Sequence, residues 1–392
     1  MAIELEKREL RIYEIRKKKY KQRVAMITIF LLLIGLIVGT FIIKQILDKN
    51  YNGYEVIQST KRQDSTSAKY ISYESGTVRY SRDGAMAFTS DGTMLWNGTY
   101  EMKDPIIDIC DKYVVIADRG SKTIQIYNGK GNVSNISVLY NIKKVEIANQ
   151  GVIAVLMEGK GRDYIELYKE DGTFLVDIAT TNNRDGYPLD MSLSNDGRKL
   201  VTSYTAISNG ILQSKVTFYN FGEVGQNYID RLVGSFDFGQ TLVPDVQFIN
   251  EKTVVAFGDN KFSVFNMNET PSLLFEKAFE SEIKSIMYNE KYIGFVLNNL
   301  EGEEKHQLLI YDLEGNVLTK RNNNFNYNQI SISGDDVIMV SDSSSTIVTV
   351  YGDKKFEYTF EKNIVGLYPV NNKDEYLLID DVNMEKIKLV EE

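Results

Sequence analysis

A strand that ends in an aromatic or apolar residue and runs into a polar turn recurs along this chain. Its ends fall at Phe88, Tyr127, Tyr168, Tyr219, Phe265, Tyr311, Tyr351 and, more weakly, Leu389, at intervals of 39, 41, 51, 46, 46, 40 and 38 residues. The turns that follow include Asp91-Gly92, Asn128-Gly129, Asp171-Gly172, Glu314-Gly315 and Gly352-Asp353, pairs that supply the tight backbone a hairpin needs. A period near forty with about four strands per unit is the signature of a β-propeller. Eight strand ends predict an all-β fold of about eight four-stranded blades; seven blades with a decorated first unit is the alternative.

Two further observations agree. The chain has five prolines, and Pro105, Pro188 and Pro244 each stand just ahead of a strand that opens a unit, where the missing N–H is tolerated. Runs such as Val114-Val115-Ile116-Ala117, Val152-Ile153-Ala154-Val155-Leu156 and Thr253-Val254-Val255-Ala256-Phe257 read as strands covered on both faces. The last unit has only three strands, at residues 364–368, 376–379 and 386–390. Residues 54–59 are expected to complete it, pairing the beginning of the ring with its end and removing the exposed edges.

Before the repeats, residues 24–43 read VAMITIFLLLIGLIVGTFII, twenty residues with no charge, Asn, Gln or Pro. A helix of that length spans ~30 Å, the hydrocarbon thickness of a bilayer. Residues 1–23 carry nine Lys/Arg against four Glu, a net of +5, and the rest carries 36 basic against 50 acidic residues, a net of −14. The basic side is expected to stay in the cytoplasm and the acidic body to cross. No small-residue cleavage pattern follows the run, so it reads as an uncleaved anchor rather than a signal peptide. The expected organisation is a basic cytoplasmic tail (1–23), a transmembrane helix (24–43) in contact with the lipid bilayer, a spacer (44–53) and an extracytoplasmic propeller (54–392). Gly35 and Gly39 form a Gly-x-x-x-Gly face that suits homodimer packing of the span.

Leu193-Ser194-Asn195-Asp196-Gly197-Arg198-Lys199-Leu200-Val201 and Asp171-Gly172-Thr173 resemble WD40-like and quinoprotein-like propeller repeats. The residues 91–100 (DGTMLWNGTY), 186–190 (GYPLD) and 218–227 (FYNFGEVGQN) are similar to an uncharacterised family, a domain of unknown function, of single-pass membrane proteins from low-GC Gram-positive, Clostridia-type bacteria. The resemblance covers essentially the whole chain and implies the same architecture. It carries over no active site and no cofactor motif.

The chemistry is sparse. One His (His306) and one Cys (Cys110) are too few for a His/Cys zinc site, so no metal is expected. His306 reads as a solvated residue of a charged loop or strand edge, and Cys110 as a small apolar strand residue. Trp96, the only Trp, suits either packing between blades or an exposed sugar-stacking platform. No phosphate-binding loop or calcium loop is present, no cofactor is expected, and the acidic body argues against nucleic acid. Asp104-Pro105, Arg184-Asp185-Gly186-Tyr187-Pro188-Leu189-Asp190 and Pro244-Asp245 lie where chains enter the innermost strands. Asp104, Arg184, Tyr187, Asp190 and Asp245 are therefore candidates for a ligand-binding mouth. The expected function is a non-enzymatic scaffold or recognition module for an envelope protein or a cell-wall glycan. The alternative is an envelope polysaccharide hydrolase with paired carboxylates in the funnel.

Overall fold

The computed structural model describes residues 17, 18, 20, 21, 24, 26, 28–30, 32–35, 50–62, 68–181, 186–300, 302–370 and 374–391. Its chain separates into two units, residues 1–50 and 51–392.

In the second unit, eight four-stranded antiparallel sheets follow one another as propeller blades. Blades 1 to 7 are consecutive in sequence: 69–99, 105–137, 141–181, 187–239, 245–278, 283–323 and 329–359. Blade 8 takes three strands from the end of the chain, Ile364–Pro369, Glu375–Asp380 and Asn383–Val390, and its fourth, Gly53–Lys61, from the beginning. Gly53 pairs with Val390 and Lys61 with Asn383 across that closure. Pairing starts before residue 54: Tyr51, counted with the spacer from sequence, bridges to Phe356 of blade 7.

The repeat marker has a structural meaning. Phe88, Tyr127, Tyr168, Tyr219, Phe265, Tyr311 and Leu389 all lie in the third strand of their blades, and Tyr351 follows the third strand of blade 7. The Asp-Gly turns work as expected at Gly92 (φ 77°) and Gly172 (φ 84°), conformations that cost a residue with a Cβ. Asp91 and Asp171 accept the backbone N–H of Thr93 and Thr173 at 3.1 and 2.9 Å.

Each blade buries both faces. In blade 2, Val114 and Ile116 pack against blade 1, while Val115 and Ala117 pack against blade 3. This is why the second strands read as unbroken apolar runs instead of alternating. Six further interblade clusters repeat the arrangement around the ring. Trp96 is 5% exposed and stacks on Tyr127 of blade 2, with centroids 4.6 Å apart, so it is packing between blades and not a sugar platform. His306 opens the strand His306–Asp312 and is half-buried, with its Nδ1 unpartnered. It is therefore a strand residue and not a solvated loop one, because its strand is the third of blade 6. Cys110 ends the strand Pro105–Cys110, half-buried, and burial pushes its thiol up to about 12.

In the first unit, the described residues from 17 to 35 are helical. Among the described residues no helix is long and apolar enough to cross a membrane. Residues 24–43 are described only in part, and Gly39 lies outside the described residues. At Gly35 an added Cβ would meet nothing within 4 Å.

Candidate functional site

The first strands of blades 2 to 5 touch one after the next, as do those of blades 6 and 7, along the inner wall of the ring. Inner strands have one edge without a sheet partner, so their spare backbone groups need side chains or water. Blades 2 to 5 meet this need with acidic residues. Asp108, in the apolar strand Pro105–Cys110, accepts the Ile147 N–H of blade 3 at 2.7 Å. Asp190 of blade 4 accepts the Val246 N–H of blade 5 at 3.0 Å, and the Ser192 hydroxyl oxygen accepts the Phe248 N–H at 3.1 Å.

Lys144 of blade 3 lies among these carboxylates. Its ammonium donates to Asp190 Oδ1 at 2.6 Å and to the Met191 carbonyl at 2.8 Å, and it sits 3.0 Å from Glu146 Oε1. Two β-bulges set this geometry. The pairing of the first strand with the second slips between Ile142 and Lys144 in blade 3, and between Pro188 and Asp190 in blade 4. A bulge re-aims the side chains that follow it, here Lys144 and Asp190.

The electrostatics follow from enclosure. Burial pushes the Glu146 carboxyl up to about 8; Lys144 counters this in part, and the charges of Asp108 and Asp190 reinforce it. Burial, together with the charge of Asp190 and a hydrogen bond to it, pushes Asp245 up to about 6. Asp108 is raised by burial, against its bonds to backbone N–H groups. Burial works against the Lys144 charge, yet Glu146 and Asp190 outweigh it and hold the ammonium protonated.

Above these groups a cavity of about 840 Å³ opens where the inner strands begin. Its walls come from blades 1 to 4, including Tyr80, Asp104, Asp108, Asn141, Glu146 and Asp190. At the opposite ends of the same strands a second hollow of about 660 Å³ is lined by Glu74, Ile109, Asp111, Lys112 and Asn149. Glu74 and Asp111 occupy equivalent hairpin turns there with left-handed backbones, φ 49° and 50°.

The sequence candidates divide. Asp190 and Asp245 come together, joined by a hydrogen bond between their carboxyls. Asp104 lines the cavity, but its carboxylate is well exposed and lies 3.7 Å from Arg119. It belongs to the rim and not to the central group, because it precedes the inner strand. Tyr187 is 54% exposed, on the outer side of its strand's start. Arg184 lies outside the described residues. Lys144, Glu146 and Asp108 complete the site without standing among the sequence candidates; Asp108 is the one charge in an apolar inner strand, whereas Lys144 and Glu146 belong to a strand of mixed character.

A carboxylate pair that hydrolyses glycosides stands ~5–9.5 Å apart, with room for sugar and water; Asp190 instead crowds Asp245, whose carboxyl it helps to raise, and its own oxygens are taken up by Lys144 and the Val246 N–H. Among the described residues no group of His, Cys, Asp and Glu has metal-binding geometry.

Solved propellers share this fold at very low sequence identity. BamB from Moraxella catarrhalis superposes with a TM-score of 0.52 at 13% identity, over 86% of this chain and 98% of that one. Chaetomium thermophilum Sqt1, solved with the N-terminus of ribosomal protein L10, gives 0.56 at 8% identity over 86% and 100%. A eukaryotic initiation factor gives 0.52 at 12% identity over 87% and 88%. At these identities the likeness is one of fold. No curated relative matches the chain. A family profile matches residues 47–389, the entire propeller, and the chain belongs to that family, DUF5711, a family of unknown function.

Proposed function

We propose that this chain is a membrane-anchored, extracytoplasmic propeller acting as a non-enzymatic scaffold or recognition module, with its cavity face offered to an envelope protein. The observation that carries the reading is the preformed polar cavity of about 840 Å³ walled by four blades. Its floor carboxylates Asp108 and Asp190 are already engaged in tying blades together. A rigid polar mouth of this kind suits docking. Sqt1, of the same fold, was solved bound to the N-terminus of another protein, which makes a protein segment the first ligand class to test; a cell-wall glycan is the second.

The anchor rests on the uncharged run 24–43 behind a basic collar. Apolar side chains of the described helical residues, among them Phe30 (63%) and Leu32 (70%), are exposed, as a lipid-facing surface requires. Two experiments test the reading in intact cells. External protease should degrade the propeller and spare an N-terminal tag; a protected propeller overturns the orientation. A photo-crosslinker at Lys143 should give a discrete protein adduct that one at Ser272, on an outer strand, does not. A glycan adduct alone, or equal labelling from both positions, overturns a protein partner at the mouth.

A further inference from the structure

Four carboxylates and one ammonium meet across four blades on the inner wall. Each contact joins one blade to the next: Asp108 to the Ile147 N–H, Lys144 to Asp190, and Asp190 to both the Val246 N–H and the Asp245 carboxyl. Glu146 shares Lys144 with Asp190. Tyr288 of blade 6 and Cys110 of blade 2 are further titratable neighbours, the phenol raised by burial and by Asp245 and Glu146, the thiol by burial and by charges that include Asp108 and Glu146. Directly opposite these residues the second strands present Val115, Leu156, Ala154, Ser203 and Phe257, none of them charged. Glu158 and Lys143 are at the rim, Lys143 facing Asp163 at 3.4 Å. A single ammonium thus serves four carboxylates, two of which touch. Carboxylates so placed do not all ionise; they share protons.

We propose that Asp108, Lys144, Glu146, Asp190 and Asp245 form a proton-operated clasp. With the shared protons in place it ties the inner strands of blades 2 to 5, and on their loss mutual repulsion loosens this side of the ring and the cavity floor.

The elevated carboxyl groups set the window. Asp245 is raised to about 6 and Glu146 to about 8. Both exceed the values of about 4 that these carboxyls have in an unfolded chain, so from about pH 4 up to those values the folded protein binds more protons than the unfolded one. Stability fully present below about pH 4 is therefore lost as pH rises, up to about 6 for Asp245 and up to about 8 for Glu146. For Asp245 alone, a displacement of about two pH units corresponds to about a 100-fold fall in the folding equilibrium constant between about pH 4 and 6, of which about tenfold falls above pH 5.

The test uses the full-length chain in detergent, unfolded in urea between pH 5 and 8.5, with hydrogen exchange at the Ile147 and Val246 amides corrected for intrinsic rate. In wild type, the folding constant and both protection factors should fall with pH. Asp245→Asn and Glu146→Gln retain the hydrogen-bonding shape without the titration. Each should gain stability relative to wild type between pH 5 and pH 8.5, and together they should flatten the amide response. A residue that only packs would shift stability equally at both pH values. Variants that keep the wild-type slope overturn the clasp. If a variant does not fold, wild-type protection of Ile147 and Val246 that is constant from pH 5 to 8.5 overturns it as well.

Discussion

Removing the Tyr51 side chain should loosen the ring at its non-covalent closure, where the first strand pairs with the last. The fourth strand of blade 8 is the only one contributed from the far end of the sequence, and Tyr51 is where the entering chain first grips the propeller. Its N–H donates to the Lys355 carbonyl at 2.7 Å. Its ring is 5% exposed within a core cluster shared with Phe356, Phe360, Leu367 and Tyr376. Its hydroxyl hydrogen-bonds Asp374, and burial together with that bond raises the phenol. Truncating a buried aromatic costs about 3–5 kcal/mol, whereas deleting one hydrogen-bonded hydroxyl costs about 1 kcal/mol. Tyr51→Ala should therefore lose several-fold more stability than Tyr51→Phe. Urea unfolding followed by far-UV circular dichroism and by the single Trp96, packed between blades 1 and 2, measures both. A Tyr51→Ala cost below about 1 kcal/mol, or equal costs for the two variants, would show that closure does not depend on this latch.

Other substitutions probe the ring elsewhere. A Cβ at Gly98 would lie 2.3 Å from the Tyr127 hydroxyl and 2.5 Å from its ring, so Gly98→Ala should destabilise by about 1–3 kcal/mol through overpacking, read as a lowered thermal midpoint. Lys199 is buried and donates to the carbonyls of Glu251, Met267 and Asn268 at 2.6, 3.3 and 3.4 Å. Lys199→Met strands these acceptors and should cost about 3 kcal/mol in urea unfolding. Asp104→Ala breaks only an exposed pair with Arg119 and should leave the urea midpoint unchanged, within about 0.5 kcal/mol.

The architecture was legible because its signals are local. A third strand must end in something bulky that packs between blades, then turn within a few residues, and that demand repeats at Phe88, Tyr127, Tyr168 and onwards. The closing strand was legible for a related reason: a last unit one strand short, with a spare strand at the front, has one economical solution. Tyr51 escaped because a lone bridge has no period.

The inner-wall site was legible only in part. Asp190 and Asp245 stood out as turn-flanking acids at unit starts, and the fold does join them. Asp104, from the same kind of position, remains at the rim, and Tyr187 is exposed and outside the cavity lining. Lys144, Glu146 and Asp108 were hidden inside strands, where a charge reads as an exposed face. The partners of Asp108 and Lys144 lie one blade away, 39 and 46 residues along the chain, and bulges at Lys144 and Asp190 decide where the side chains point. The sequence by itself therefore determined the period and the ring closure, since both follow from short-range alternation and turn chemistry, and left seven or eight blades for the structure to count. Only the tertiary structure decided which charges meet. Their meeting depends on the register between neighbouring blades, and a one-residue slip moves a side chain to the opposite face.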